Sequence, residues 1–224
     1  RLEGKKSFID LFRVEQSSDL ILIEPESGRR LSGGSARVTV ETGSTPEVQA
    51  RVGSSDVVAA IDLAALQVDF ASGDVRVHDV AGDVVARGAS GDLAAGSIGG
   101  RLKATIASGD VRAEAVGAGA DIKTASGDVR IKSADGGVKV KSASGDVTID
   151  GLRGGDVDAK SLSGDLVIGI PEGRTLDVNV DSVSGRVKSE FPVRDDAGEE
   201  PADTTVTRVS VKTVSGDVRF RPAS

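Results

Sequence analysis

Cysteine, methionine, tryptophan and tyrosine are all missing from this 224-residue sequence, and phenylalanine occurs only 5 times. Without cysteine there is no disulfide framework, no thiolate nucleophile and no structural zinc site of the usual kind, and the redox compartment stays unreadable. His78 is the single histidine, so a catalytic triad or a His-rich metal site would have to be built around one imidazole. Positive charge is also short, with 28 Lys+Arg against 35 Asp+Glu and a net charge of -7, which argues against nucleic acid or an anionic membrane surface as the main partner. The longest apolar runs are about five residues, as around Leu20 to Ile23, far from the roughly 20 that span a bilayer as a helix. Because the chain begins at Arg1 and holds no methionine, it is expected to be a fragment or processed product, which leaves room for a signal peptide or anchor ahead of it.

Glycine, by contrast, is abundant: 29 residues, about twice the ordinary share. It is not scattered. Ser-Gly-Asp-Val or a close variant begins at Ser72, Ser90, Ser108, Ser126, Ser144 and Ser163, at intervals of 18, 18, 18, 18 and 19 residues. The register runs back to Ser54-Ser55-Asp56-Val57 and on, less regularly, to Ser184-Gly185-Arg186-Val187 and Ser215-Gly216-Asp217-Val218. A weaker version lies halfway between, at Ala81-Gly82-Asp83-Val84, Gly99-Gly100-Arg101-Leu102, Asp135-Gly136-Gly137-Val138 and Gly154-Gly155-Asp156-Val157. The unit is therefore a nine-residue half-repeat used twice per coil.

After each Ser the apolar residues sit at the third, fifth and eighth positions, as in Val75, Val77 and Val80 or Val111, Ala113 and Val116. Such alternation specifies strand, and the glycine density excludes helix. The expected fold is all-β: a single parallel β-solenoid of about 18 residues per coil, ten to twelve coils long, with hydrogen bonds running between coils about 4.8 Å apart. The weaker half-repeats supply a second inward set, Val84, Ala86 and Ala89, then Leu102, Ala104 and Ala107, then Val157, Ala159 and Leu162. Ala71, Ala89, Ala107, Ala125 and Ala143 share one place before the turn and are read as lining a thin core. Residues 1–35 are expected to be an N-terminal cap or extension, with an apolar segment at Phe8 to Phe12 and a strand from Asp19 to Glu24. Residues 36–224 are expected to be the solenoid, with irregular last coils, an acidic loop at 193–204 and a final strand from Val209 to Phe220. Phe191 and Phe220 are expected to cover terminal coils, as solenoid ends require.

The recurring Ala-Ser-Gly-Asp-Val, its spacing, and the closing Val-Lys-Thr-Val-Ser-Gly-Asp-Val-Arg-Phe at 211–220 resemble the bacterial family of β-strand-repeat domains that carries an adhesin label, a domain of unknown function. The resemblance covers roughly residues 36–221. It implies a non-enzymatic β-solenoid displayed at a cell surface or secreted, while the residues themselves leave the cytoplasm open.

Two columns of charged residues follow from the repeat. Asp56, Asp74, Asp92, Asp110, Asp128, Asp146 and Asp165 fall along one edge, where neighbours about 4.8 Å apart repel by roughly 0.9 kcal/mol in water. Backbone N–H groups of their own turns, together with Arg76, Arg112 and Arg130 two residues on, are expected to compensate. The sharper alternative is calcium, because calcium-binding β-rolls also use nine-residue half-repeats, although their turn spends six residues where this one spends about three. The second column is Arg87, Lys103, Lys123, Lys139, Lys141 and Lys160, a basic sheet face in an acidic protein that could contact an anionic polymer or glycan, or a protein partner. No aromatic platform accompanies it for stacking on sugars or single-stranded nucleic acid.

No catalytic residue and no cofactor is expected. His78 reads as a surface residue, the outward acids Glu114, Asp150 and Asp158 are scattered over different coils, and no phosphate-cradling glycine loop precedes a helix. Three functional classes stay open: an adhesin binding through long solenoid faces, an intracellular scaffold that assembles end to end, and a calcium-dependent β-roll. Monomer and end-to-end assembly are both open.

Overall fold

The computed structural model describes residues 1–18, 20–26, 36–171, 175–191 and 206–223. The chain divides into two compact units, Arg1–Ser44 and Thr45–Ser224. In the first, Leu2–Gly4 pairs antiparallel with Ala36–Val38, a short helix spans Lys6–Ile9, and Phe12–Gln16 forms an antiparallel hairpin with Ile21–Pro25. The rings of Phe8 and Phe12 meet edge to face at 5.7 Å. The expected strand from Asp19 is thus seen from Ile21, and Asp19 itself lies outside the described residues, as does the acidic segment 193–204.

The second unit is an all-β parallel solenoid of nine coils, each giving one strand to each of two nine-stranded sheets. The first sheet carries the longer strands, among them Ala65–Ser72, Val84–Ser90, Leu102–Ser108, Ala120–Ser126, Val138–Ser144 and Val157–Ser163. The second carries Val75–Val77, Leu93–Ile98, Val111–Val116, Val129–Ala134, Val147–Ile149 and Leu166–Ile170. Ser-Gly-Asp turns lead from the first sheet to the second, and the weaker half-repeats lead back. The count is nine and not ten to twelve because the described residues of the first unit form no coil and the coils begin at Glu47.

Register is strict. Val75, Leu93, Val111, Val129, Val147 and Leu166 lie side by side, as do Leu66, Val84, Leu102, Ala120, Val138 and Val157, and all are essentially inaccessible to solvent. Each such position sees the same position above and below, so the core is a set of apolar columns between two sheets. The turn glycines keep the columns in register. Gly127 adopts φ +133, and a Cβ there would lie 2.1 Å from the carbonyl oxygen of Gly109 in the coil below, so backbone packs directly on backbone.

Two sequence expectations are corrected. Ala71, Ala89, Ala107 and Ala125 are exposed and Leu162 is 59% exposed, so these positions do not line the core. Strand alternation continues one step further than the repeat suggested, placing Phe70, Gly88, Ile106, Thr124, Ser142 and Ser161 inside. Phe70 and Gly88 compensate each other, since a Cβ on Gly88 would lie 2.2 Å from the Phe70 ring.

The second correction concerns order. A regular repeat implies that each coil stacks on the one before it, and this fails at the end. Both sheets place the last coil of the chain, Val206–Ser215 with Val218–Pro222, between Val157–Ile170 and the coil formed by Thr175–Ser184 with Val187–Ser189. Phe220 is therefore 2% exposed inside the stack instead of covering its end, while Phe191 is half-buried against the core.

Candidate interaction surface

The turn aspartates stack as the spacing required, and their compensation lies between coils and not within each turn. Oδ1 of each accepts the backbone N–H of the residue one coil on: Asp74 to Asp56, Asp92 to Asp74, Asp110 to Asp92, Asp128 to Asp110, Asp146 to Asp128 and Asp165 to Asp146, at 2.8–3.1 Å. The ladder follows the spatial order, running from Asp165 to Asp217 and from there to Arg186. A charge-assisted bond of this kind is stronger than one between neutral groups, and it offsets the screened repulsion between neighbouring carboxylates. Its effect is visible at Asp74, whose carboxyl is held below its ordinary pKa first by the Asp92 N–H and further by the Arg76 guanidinium.

Oδ2 is also engaged at two rungs, where Arg76 donates to Asp74 at 2.7 Å and Arg112 to Asp110 at 2.5 Å. Arg130 behaves differently. It turns to Asp150, which the sequence placed outward but which is 3% exposed, held by Arg130 at 2.9 Å and by Arg221 of the inserted coil at 2.6 Å. Among the described residues the aspartate column nowhere brings three metal-binding side chains together. The aspartates of the calcium alternative each give Oδ1 to a backbone N–H of the next coil, which makes them rungs between coils.

The basic residues separate into two rows on the outer face of the first sheet. One row reads Arg87, Thr105, Lys123, Lys141, Lys160 and Lys212 in successive coils. Beside it, two residues towards the N-terminal end of each strand, Lys103, Asp121, Lys139 and Asp158 alternate in sign. The six cations expected to form one face thus play different parts. Arg87 is drawn to Asp69 at 3.3 Å, Lys139 to Asp158 at 3.7 Å, and Lys103 stands in the alternating row. Lys123, Lys141 and Lys160 remain as neighbours in one register, and Lys212 extends them.

Lys212 escaped the sequence reading because it is 52 residues from Lys160 in the chain; the inserted coil makes them neighbours. Its ammonium pairs with Asp181 at 2.9 Å, which raises its pKa, and Lys160 lies 3.9 Å from Asp158. Among the described residues no ion pair holds Lys123 or Lys141. Alongside these two runs a shallow groove of about 440 Å³ whose lining includes the alanines before the turns, Ala107 and Ala125, which are exposed, and Ala143, which is half-buried. The surface is thus a shallow, mostly apolar channel beside lysines that recur once per coil, on strands about 4.8 Å apart.

Glu114 is exposed and paired with Lys132 at 2.9 Å, Asp158 lies between lysines, and His78 is exposed with Nδ1 2.9 Å from Asp62 Oδ1. No helix is long and apolar enough to cross a membrane among the described residues.

Comparison with known proteins agrees with this architecture. The family model described as Toastrack DUF4097 matches residues 35–221. No curated protein and no solved structure matches the chain. The matched span takes in every coil of the solenoid, including the inserted one, and so the chain belongs to the Toastrack DUF4097 family of non-catalytic, structural β-solenoid domains.

Proposed function

We propose that this solenoid is an interaction scaffold that holds an extended anionic polymer along its lysine row. One observation carries the reading. In a chain of net charge -7, lysines occupy one outward register in four successive coils, Lys123, Lys141, Lys160 and Lys212. Lys160 and Lys212 lie near carboxylates, whereas no ion pair among the described residues holds Lys123 or Lys141, so an anion laid along the row supplies the partner those two lack. A polymer with regularly repeated negative charges meets several of them at once, gaining affinity by multivalency and not by a pocket. The groove beside Lys123 and Lys141 gives such a chain a smooth bed of alanines to lie on.

Adhesion is the cell-surface form of this reading, and the adhesin-type resemblance supports an extracytoplasmic address. Protease accessibility on intact native cells tests the address. Binding is tested with a sulfated polysaccharide, an uncharged polysaccharide and poly-glutamate. The expected result is salt-sensitive binding of the sulfated chain, weakened about tenfold or more by Lys123→Glu with Lys141→Glu. Lys103→Glu, in the alternating row, is expected to matter much less. Affinity that ignores the double reversal would overturn the proposal, and selective binding of poly-glutamate would redirect it to an acidic protein segment.

A further inference from the structure

The first full turn back from the second sheet to the first departs from the repeat in a way that the anionic-polymer reading does not use. Asp62 and Asp79 lie one above the other in adjacent coils, fixed by Leu63 N–H donating to the Asp79 carbonyl at 2.8 Å, and His78 stands next to them. His78 Nδ1 is 2.9 Å from Asp62 Oδ1 and 3.8 Å from Asp79 Oδ2. The other Asp79 oxygen is already committed, since Oδ1 accepts the Ser97 N–H at 2.7 Å; that bond orients the carboxylate and leaves Oδ2 facing the imidazole. One nitrogen and two carboxylates thus converge, all within 4.8 Å of one another, and among the described residues this is the group of metal-binding side chains that does so.

Three features distinguish this corner from an ordinary surface ion pair. Two carboxylates face at most one positive charge, and no lysine or arginine among the described residues pairs with either. The space is also kept open: the residue one coil on from His78 is Gly96, where a Cβ would sit 2.5 Å from Asp79 Oδ1. Finally, the constellation is not a by-product of the repeat. The next coils carry Gly96, Glu114 and Lys132 at the place of His78, and Ser97, Ala115 and Ser133 at the place of Asp79.

The distances suit a small ion. Ligands 2.0–2.2 Å from a tetrahedral zinc lie about 3.4 Å apart; the two imidazole–carboxylate distances of 2.9 and 3.8 Å bracket that value, and all three donors lie within 4.8 Å of one another. Imidazole with two carboxylates is a borderline donor set, suited to zinc-class divalent ions over magnesium or calcium, which prefer oxygen alone. We propose that Asp62, His78 Nδ1 and Asp79 Oδ2 form a solvent-facing site for one zinc-class divalent cation, with water completing its coordination. Binding releases to solvent the proton shared between Nδ1 and Asp62, and two carboxylates with a neutral imidazole balance the ion's charge. The raised pKa of His78, owed first to the Asp62 hydrogen bond and next to the Asp79 charge, reports the negative field that such an ion would meet.

Titration calorimetry of the tag-free chain with zinc chloride at neutral pH tests this. One saturable ion per chain is expected, with affinity reduced tenfold or more in His78→Gln and in Asp62→Asn, and unchanged in Glu114→Gln. His78 is the only imidazole, so a nitrogen-resolved NMR spectrum of the native chain identifies the coordinating atom without ambiguity, and Nδ1 is expected. That spectrum decides the matter even if a variant loses its β signal in circular dichroism. Absence of saturable binding, affinity that survives both substitutions, or coordination through Nε2 would overturn the proposal.

Discussion

The coils from Ala65 to Ile170 follow one another in space as they do in the chain; the last two do not. The coil that comes last in the chain holds Val209, Val211, Val218 and Phe220, all 2% exposed or less, whereas the outermost one leaves Val178, which pairs with Val209, at 40% and Val187, which pairs with Val218, at 51%. In the regular region every coil puts apolar residues into the same columns, so sequence order and energetic order agree. At the end they conflict, and burial decides. A coil bracketed on both sides buries each large apolar side chain for about 1.5–3 kcal/mol, while doubling the length of a connection costs only about 0.6 kcal/mol. The inserted coil takes the covered place, and the coil carrying Asp177, Asn179 and Asp181 takes the open one, where its charges meet Arg208 and Lys212 of the inserted strand.

The largest test of this contrast places the same charge in both regions. Val111→Asp puts a carboxylate into a column that is fully inaccessible, with Leu93 and Val129 on either side and no basic partner; about 3–5 kcal/mol of stability should be lost, enough to unfold a marginal domain. Val178→Asp on the half-open outer coil should cost less than 1 kcal/mol. Thermal melts of the two variants check the pair, and equal losses would show that the outer coil is as buried as the inner ones.

A middle-sized effect is expected at the clasp that ties the inserted coil down. Asp150 is buried, and of its two guanidinium partners Arg221 comes from the inserted coil, while Arg130 is mostly exposed and tolerates solvent. Arg221→Met keeps the side-chain volume and removes one charge-assisted bond, for a loss of about 1–3 kcal/mol. Hydrogen exchange should localise that loss, with the amides of 206–222 opening first and those of 102–144 unchanged. Uniform acceleration across the solenoid would mean that the inserted coil and the regular stack form one cooperative unit.

The regular half of this contrast was legible in the sequence because a repeat states the same instruction many times. The 18-residue Ser-Gly-Asp spacing fixed the strands, the parallel register and the aspartate column together. What escaped it are features that depend on neighbours distant in the chain. Asp150 reads as one more outward acid until Arg221, 71 residues on, closes over it. The alanines before the turns read as core because they are apolar, and one extra step of alternation turns them outward and brings Thr124, Ser142 and Ser161 in. The lysine row was legible as a set of cations, and its division into a like-charged row and an alternating one required the actual pairing. Nothing in the spacing of Asp62 and Asp79, 17 residues apart in an 18-residue repeat, announced that the two stack; the one-residue shortfall at that turn brings them into line.

The smallest expected effect on stability concerns why the stack stops. At each rung the aspartate Oδ1 accepts an N–H from the coil above, so a coil that is to be followed by another must present a carboxylate there. The outermost coil presents Arg186, whose N–H is satisfied by Asp217 Oδ1 at 2.9 Å but whose side chain holds no acceptor. Any strand arriving on that edge would lose the bond that every inner coil makes. Arg186→Asp supplies the missing acceptor. It should leave the melting temperature nearly unchanged, since an exposed substitution shifts stability by about 0.5 kcal/mol or less, yet raise concentration-dependent association in light scattering. If the variant stays as monodisperse as the parent, the ladder is not what limits growth, and the burden falls on Asp177 and Asp181. Neutralising those two with Asn in the same background then separates the two devices: association appearing only in the combined variant would show that charge along the edge, and not the lost hydrogen bond, closes the stack.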